Sequence, residues 1–313
     1  MLRYILRRLL LAIPTLLAVV TIIFVLVRVI PGDPVTAALG DQASQQAIDK
    51  ARADLGLDKS LVAQYVDYMR QLLTFDLGKS MISRAPAWDQ IRFVLPYTLE
   101  LTLAAIVIAQ LFGIPIGIIT AIKRNTWIDY LGRIVSLAGL SAPAFYIGIL
   151  LIFVFAAKLG WLPAIGAGKF SDPVANLKSL ILPALTLGLV ETAFVARMTR
   201  SVMLNVLSED YVRTARAKGL TERTVMVRHA LRAALVPIVA MIGLFAISLI
   251  GSSVLTEEVF ARPGLGKLMI GATKQRDYTL LQAIMVVYAL IIVAINILVD
   301  IVYTMVDPRV RRH

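Results

Sequence analysis

Two glycine–lysine runs and three polar side chains set in apolar sequence are the residues from which chemistry could be built. Gly166-Ala167-Gly168-Lys169-Phe170-Ser171 has the outline of a phosphate loop, in which backbone amides cradle phosphates ahead of a Lys and a hydroxyl. That motif needs Gly where Pro163 stands and Ser or Thr where Phe170 stands, so the run reads as a plain loop. Gly264-Leu265-Gly266-Lys267 fails in the same way, with Ala261 at the first Gly position and Leu268 after the Lys. With Pro263 it reads as a tight turn ahead of the last apolar run. Glu191 and Asp300, with Asn296 one turn before Asp300, lie deep inside apolar runs. An ionisable group there is costly and has to face protein or water. Each either lines a polar path or satisfies a helix contact, and both readings stand. Glu100 and Arg28 stand near the ends of their runs, within snorkelling reach of headgroups. The absence of cysteine and the presence of only two histidines exclude thiolate chemistry and a His-rich metal cluster. No catalytic residue and no cofactor or metal site is assigned to this chain.

The elements that position these residues follow from composition. The chain is 58% hydrophobic and 17% charged, with a mean hydropathy of +0.79, which is too apolar for a water-soluble domain of this length. Six runs can cross about 30 Å of hydrocarbon as helices: residues 9–30, 98–122, 134–157, 180–196, 231–255 and 280–306, the fourth being the shortest. The expected fold is an all-α membrane protein with six transmembrane helices. The first run follows Arg3, Arg7 and Arg8 but exceeds the apolar core of a signal peptide, so it reads as an uncleaved span ended by Pro31-Gly32-Asp33-Pro34.

Orientation comes from the basic residues. Of the 32 Lys and Arg, 17 fall at the N-terminus, around Lys123 to Arg133, between Arg197 and Arg232, and in the tail at Arg309, Arg311 and Arg312. All four positions lie on one face, which the positive-inside rule makes cytoplasmic. A net charge of +12 therefore reflects topology and lipid contact, with no nucleic-acid partner implied. The expected organisation is a first transmembrane helix over residues 1–30, an extracytoplasmic helical segment over 31–96, a core of five helices over 97–307 that contains a cytoplasmic loop at 197–232, and a cytoplasmic tail at 308–313. Within the external segment, Val62, Tyr65, Val66, Met69, Leu72 and Leu73 repeat with helical spacing, and residues 47–57 supply a second, more polar helix. This cap either covers the bundle or touches an external partner.

The cytoplasmic loop has structure of its own. Ser208, Glu209 and Asp210 offer a cap and first-turn acids, Tyr211 to Lys218 contains no breaker, and Gly219 supplies a stop. Thr221 and Glu222 start a second helix that runs into the fifth span and breaks at Pro237. A basic loop alone would serve orientation; a short rigid element there is something a separate motor could push.

At these residues the chain resembles the permease subunits of ATP-binding-cassette (ABC) importers, specifically the dipeptide/oligopeptide, DppB-type members of the peptide/nickel/glutathione group. The general family loop reads Glu-Ala-Ala, three residues, Gly, nine residues, Ile-x-Leu-Pro. Here Arg213-Thr214-Ala215 fills the first slot and His229-Ala230-Leu231-Arg232 the last, so the general form is only partly kept. The peptide-importer form, Glu209-Asp210-Tyr211 followed by Arg213-Thr214-Ala215-Arg216-Ala217-Lys218-Gly219, is matched closely. Similar signatures extend along the chain, among them Phe75-Asp76-Leu77-Gly78, Ala196-Arg197-Met198-Thr199-Arg200, Pro263-Gly264-Leu265-Gly266 and Arg276-Asp277-Tyr278. The resemblance implies a type I importer permease fold in the bacterial inner membrane with both termini cytoplasmic. It implies a second, related permease, two cytoplasmic ATPase subunits that bind ATP and Mg, and an extracytoplasmic solute-binding protein. It makes the loop around Gly219 a coupling helix. Tyr211, Ala215 and Gly219 would dock, small Ala215 and Ala217 would permit close approach, and Arg213, Arg216 and Lys218 would tune the contact electrostatically. The expected activity is alternating-access import of dipeptides or short peptides, with a glutathione or nickel-complex permease as the alternative. An ion-coupled secondary transporter using Asp300 or Glu191 is the competing class.

Overall fold

The structure is a computed structural model that describes residues 2–29, 36, 44–54 and 56–306. The Pro31 to Pro34 junction and the basic tail lie outside the described residues. Among the described residues the elements are helical, with one isolated bridge between Lys79 and Pro86. In order they are α1 (Leu2–Val29), α2 (Gln45–Asp54), α3 (Leu61–Leu73), α4 (Ala87–Ile122), α5 (Trp127–Ser141) and α6 (Ala144–Leu151), which runs on as a π-helix (Ile152–Lys158). Then follow α7 (Pro173–Leu207), α8 (Asp210–Ala217), α9 (Glu222–Thr224), a π-helix (Val225–Leu231), α10 (Arg232–Val259), α11 (Leu265–Lys274) and α12 (Tyr278–Val306).

Five helical stretches are long and apolar enough to cross a membrane, and the pair α5 and α6 makes a sixth if it counts as one span. That pair is bent by 99°, so the third run is not the single straight helix expected. Pro143 causes the break: its ring disfavours helical backbone at the preceding residue, and Ala142 is extended at φ −85°, ψ 128°. The fourth run, expected to be the shortest, is the 35-residue α7. Its hydropathic window is 67% buried, against 22–35% in the other four, so it faces protein on most sides. Buried Asn176, Ser179, Thr186, Thr192 and Thr199 lower its hydropathy without exposing polar atoms to lipid. The expected break at Pro237 does not occur, since α10 continues through it. Ala234 and Ile238 on either side pack with Ala121, Met203 and Ala230, and in a membrane helix such packing outweighs the missing backbone bond. The turn expected before the last span carries an additional helix, α11.

The described residues fall into two compact units, one built on Tyr97–Pro263 with the chain from Ile295, the other on Leu6–Pro96 and Gly264–Ala294. In the first, α7 packs against α4, α5, α6 and α10. Leu101, Ala105, Leu180, Ala184, Leu187 and Leu249 form one core cluster. Close approach of α4 to α7 rests on Gly113 and Gly117, a small-xxx-small pair of the kind that lets membrane helices touch. A Cβ on Gly113 would fall 2.7 Å from the Val195 Cβ, and one on Gly117 2.6 Å from the Ala196 carbonyl oxygen. Gly117→Leu is therefore expected to lower the thermal midpoint of the purified protein, at an overpacking cost of about 1–3 kcal/mol. Gly251→Leu is the control, because a Cβ there meets nothing within 4 Å; equal midpoints for the two variants would refute the close-approach argument.

In the second unit, the start of α4 packs through Ala87, Ile91 and Val94 on Leu265, Leu280, Leu281, Ile284 and Val287. Buried Asp277 accepts hydrogen bonds from the Ser80 hydroxyl, the Met81 amide at 3.1 Å and the Leu280 amide at 3.1 Å. It thus caps α12 and holds the turn after α3. The expected apolar face of α3 is only partly used. Met69 and Leu72 pack with Tyr68 against the cluster of Val20, Ile23 and Val27, and Tyr65 meets Phe24 edge-on and shares a 2.7 Å hydrogen bond with Thr21. Val62, Val66 and Leu73 are exposed. The packed stripe is rotated by about 50° from the expected one at roughly 100° per residue, because the Tyr68 ring stacks on Phe24 and draws that side inward.

Candidate functional site

The loop singled out from sequence folds as a helix–turn–helix at the end of α7. Ser208 does not cap it: its hydroxyl donates to the Asn205 carbonyl at 2.7 Å, while Glu209 is the N-cap without a side-chain bond. Local hydroxyl-to-carbonyl bonding at the end of one helix has displaced capping of the next. The stop and restart appear as expected. Gly219 adopts φ +77°, a conformation at which an L side chain is strained, and the Thr221 hydroxyl accepts from the Thr224 amide at 3.4 Å.

The small helix α8 is pinned on its inner side. Val212 and Ala215, three residues apart and so on one face, pack with Val225 and are flanked by Val206 and Leu207. Ala215 is therefore turned into its own chain, and the close approach expected of it is made to α7 and the π-helix Val225–Leu231. The outer face presents Glu209, Asp210, Tyr211, Arg213, Thr214, Arg216, Ala217, Lys218 and Gly219, all exposed. Partial burial, and after it the Glu209 carboxylate, push the Tyr211 phenol pKa upward. Thr214 returns its hydroxyl to the Asp210 carbonyl at 2.8 Å, and Arg213 reaches Asp210 at 3.5 Å. Arg216 clips the turn shut by a 2.7 Å ion pair to Glu222, an exposed bond of small energetic weight. A Cβ on Gly219 would meet nothing within 4 Å, so the space outside the turn is open. The result is a rigid, solvent-facing knob with an apolar root.

Two buried ionic sites, neither read from sequence, brace the helices that carry this knob. Near the start of α5, Asp129 is fully buried and takes a bidentate pair from Arg200 of α7 at 2.7 and 2.8 Å, with Arg133 at 3.6 Å and the Asn125 amide at 3.0 Å. At the opposite end of α7, Arg262 is fully buried and donates to Glu100 of α4 at 2.6 Å. Glu100 also accepts from Asn176 at 2.5 Å, so it is held inside protein and does not snorkel to headgroups. Burial draws the Arg262 guanidinium pKa downward while the Glu100 carboxylate opposes the shift. Thr98 donates to buried Glu257 at 2.7 Å in the same unit.

Of the intramembrane polar residues, Glu191 sits on α7 with its Oε2 buried and without a hydrogen-bond partner. On α12, Asn296 is exposed and Asp300 partly buried. Among the described residues no group of three or more His, Cys, Asp or Glu is placed to hold a metal. The two glycine–lysine runs are built into other tasks. The Gly168 amide donates to Ser179 at 2.9 Å, and Gly264 leads into α11.

Comparison with known proteins agrees with this architecture. Residues 113–312 match the family described as binding-protein-dependent transport system inner membrane component, and residues 1–102 match the N-terminal region of such membrane components. The chain is 43% identical over 311 residues to the glutathione transport system permease protein GsiC of Pectobacterium atrosepticum, covering 99% of both. The same figures hold for GsiC of Escherichia coli K12. In fold it resembles the MetNI methionine ABC transporter in an inward-facing conformation, at TM-score 0.55 and 19% identity over 67% of this chain and 92% of that one. An amino acid ABC transporter gives TM-score 0.54 at 18% identity, over 69% of this chain and 94% of that one. These likenesses show the type I importer fold. The chain belongs to the binding-protein-dependent transport system inner membrane components, and is a multi-pass permease subunit of an ABC importer in the peptide/nickel/glutathione group.

Proposed function

We propose that this chain forms half of the translocation path for glutathione or a peptide of similar size, moved by alternating access. The observation that carries the reading is 43% identity to glutathione permeases along 99% of both chains, which favours glutathione over the dipeptide expected first. ATPase and substrate-binding components are implied by the family. The proposed assembly has a second related permease, two cytoplasmic ATPases holding ATP and Mg, and an external solute-binding protein. The basic segments orient both termini and the 197–232 loop to the cytoplasm. The knob of Glu209 to Gly219 is the coupling element, gripped by one ATPase through Tyr211, Ala217, Lys218 and the open side of Gly219. Ala215 acts from beneath by fixing α8 to α7.

Along the path we assign Glu191, whose buried Oε2 lacks a partner, with Asp300 and Asn296 of α12 as further candidates for polar lining. Family membership sets aside the ion-coupled class. The test is uptake by the reconstituted complex with its solute-binding protein. ATP-dependent accumulation of radiolabelled glutathione, in preference to an unmodified dipeptide, is expected. Accumulation that runs without ATP, or that prefers the dipeptide, would contradict the corresponding half of the reading.

A further inference from the structure

A cavity of about 230 Å³ opens between α5 and α7 with α4 behind it, lined by Arg133, Arg197, Arg200, Ser136, Leu137 and Leu140 among others. Among its lining residues none is acidic. Asp129, which lies beneath, is bonded to Arg200 and approached by Arg133, so the three guanidiniums of the lining have one carboxylate among them and a positive surplus remains. Arg197 is instead set over the Phe194 ring, 5.4 Å from its centroid. A cluster of this kind is suited to one anionic group with several oxygens.

The surroundings indicate which anion. Beside the arginines, Leu137 and Leu140 follow Arg133 at i+4 and i+7 on the same face of α5 and line the cavity together with Ala196; Leu137 is also exposed, so an apolar wall runs on from the guanidiniums as a hydrocarbon chain would require. Trp127 and Tyr130 open the same helix and are also exposed, the placement typical of the interfacial aromatic belt. Arg133 lies roughly 9 Å along the axis from Trp127 at 1.5 Å per residue. Its side chain tilts back toward the N-terminal end of α5, over the Tyr130 ring at 4.5 Å. Guanidiniums at headgroup depth above an apolar wall match a phospholipid, with phosphate and acyl chain joined in one molecule. A soluble phosphate would use the arginines and leave the wall unexplained.

We infer that this cavity is a binding site for an anionic phospholipid of the cytoplasmic leaflet, with the headgroup phosphate on Arg133 and Arg197 and an acyl chain along α5. The leaflet rests on the orientation given under Proposed function. The test is native mass spectrometry of the assembled transporter supplied with phosphatidylglycerol or phosphatidylcholine of equal chain length. Wild type is expected to retain phosphatidylglycerol at least about tenfold more than phosphatidylcholine, one charge-assisted contact of about 1.4 kcal/mol, and Arg133→Gln/Arg197→Gln to lose that preference. Arg200 is left in place so that the bidentate pair to Asp129 survives. If the double variant does not assemble, Arg197→Gln alone is expected to weaken retention while leaving Asp129 both of its guanidiniums.

Equal retention of the two lipids by wild type, or unchanged preference in the variants, overturns the site. So does displacement by millimolar inorganic phosphate irrespective of lipid, which assigns the arginines to a soluble anion. Cross-linking of Leu137→Cys to the second permease in place of lipid overturns it as well. Lipid retention is read without substrate, so an error in the proposed cargo does not affect it. A membrane-impermeant maleimide is expected to label Trp127→Cys only after lysis; labelling of intact cells overturns the leaflet.

Discussion

Gly219→Trp is expected to leave the protein in the membrane at normal abundance and to reduce ATP-driven uptake about a hundredfold, the cost of a docking hot spot near 3 kcal/mol. The reasoning separates strain from bulk. At φ +77° any L side chain carries about 1–2 kcal/mol of backbone strain, a cost shared by Gly219→Ala and Gly219→Trp. Within this chain a Cβ there meets nothing within 4 Å, so extra bulk adds no internal clash. Any further loss in the Trp variant must arise from something outside the chain. Uptake and ATPase activity in proteoliposomes are compared for both variants, with co-purification of the ATPase subunits. A large loss in Trp with a small one in Ala supports docking at the turn. Equal losses mean that only the turn geometry matters, and unchanged uptake in Gly219→Trp at equal expression removes the coupling role.

The second large effect concerns stability. Arg262→Leu removes the cation that, among the described residues, is paired with Glu100, and is expected to cost about 3–5 kcal/mol, as for other buried pairs broken from one side. Most of that cost is the stranded carboxylate. Arg262→Leu/Glu100→Gln is therefore expected to recover at least half of it, since an amide can still meet Asn176 without carrying a charge. Thermal unfolding of the purified protein measures both. Lys59→Ala supplies the comparison: its 2.7 Å pair with Asp67 is about half exposed on each side, so its loss is expected to leave the thermal midpoint close to that of wild type. A double variant no more stable than Arg262→Leu would show that lost packing, not charge, sets the cost.

What the sequence disclosed followed the range of the forces involved. The knob was legible because its determinants are local: Gly219 stops a helix by its own backbone, and Thr221 starts the next with its own hydroxyl. Ala142-Pro143 was equally local and was passed over, since hydropathy counts both residues as part of an apolar run. Hydropathy also understated α7, because a helix surrounded by protein can carry Asn176, Thr186 and Thr199 where a lipid-facing one could not. The inward side of α8 was missed for want of knowing where Val225 would lie. Gly113 and Gly117 were visible at the right spacing, but their partners Val195 and Ala196 were not. Glu100 and Arg262 are 162 residues apart, and no pattern in a single sequence joins them.

That separation has a consequence for how the protein is made. At roughly 5–20 residues per second, Arg262 leaves the ribosome roughly 8–30 seconds after Glu100. For that interval α4 carries a carboxylate whose eventual partner does not yet exist. The half-finished chain must keep Glu100 hydrated, or shelter it within the insertion machinery, until the turn after α10 arrives. A slowed or truncated synthesis between residues 100 and 262 would then leave a membrane segment with an uncompensated charge, which quality-control proteases could recognise as unfinished.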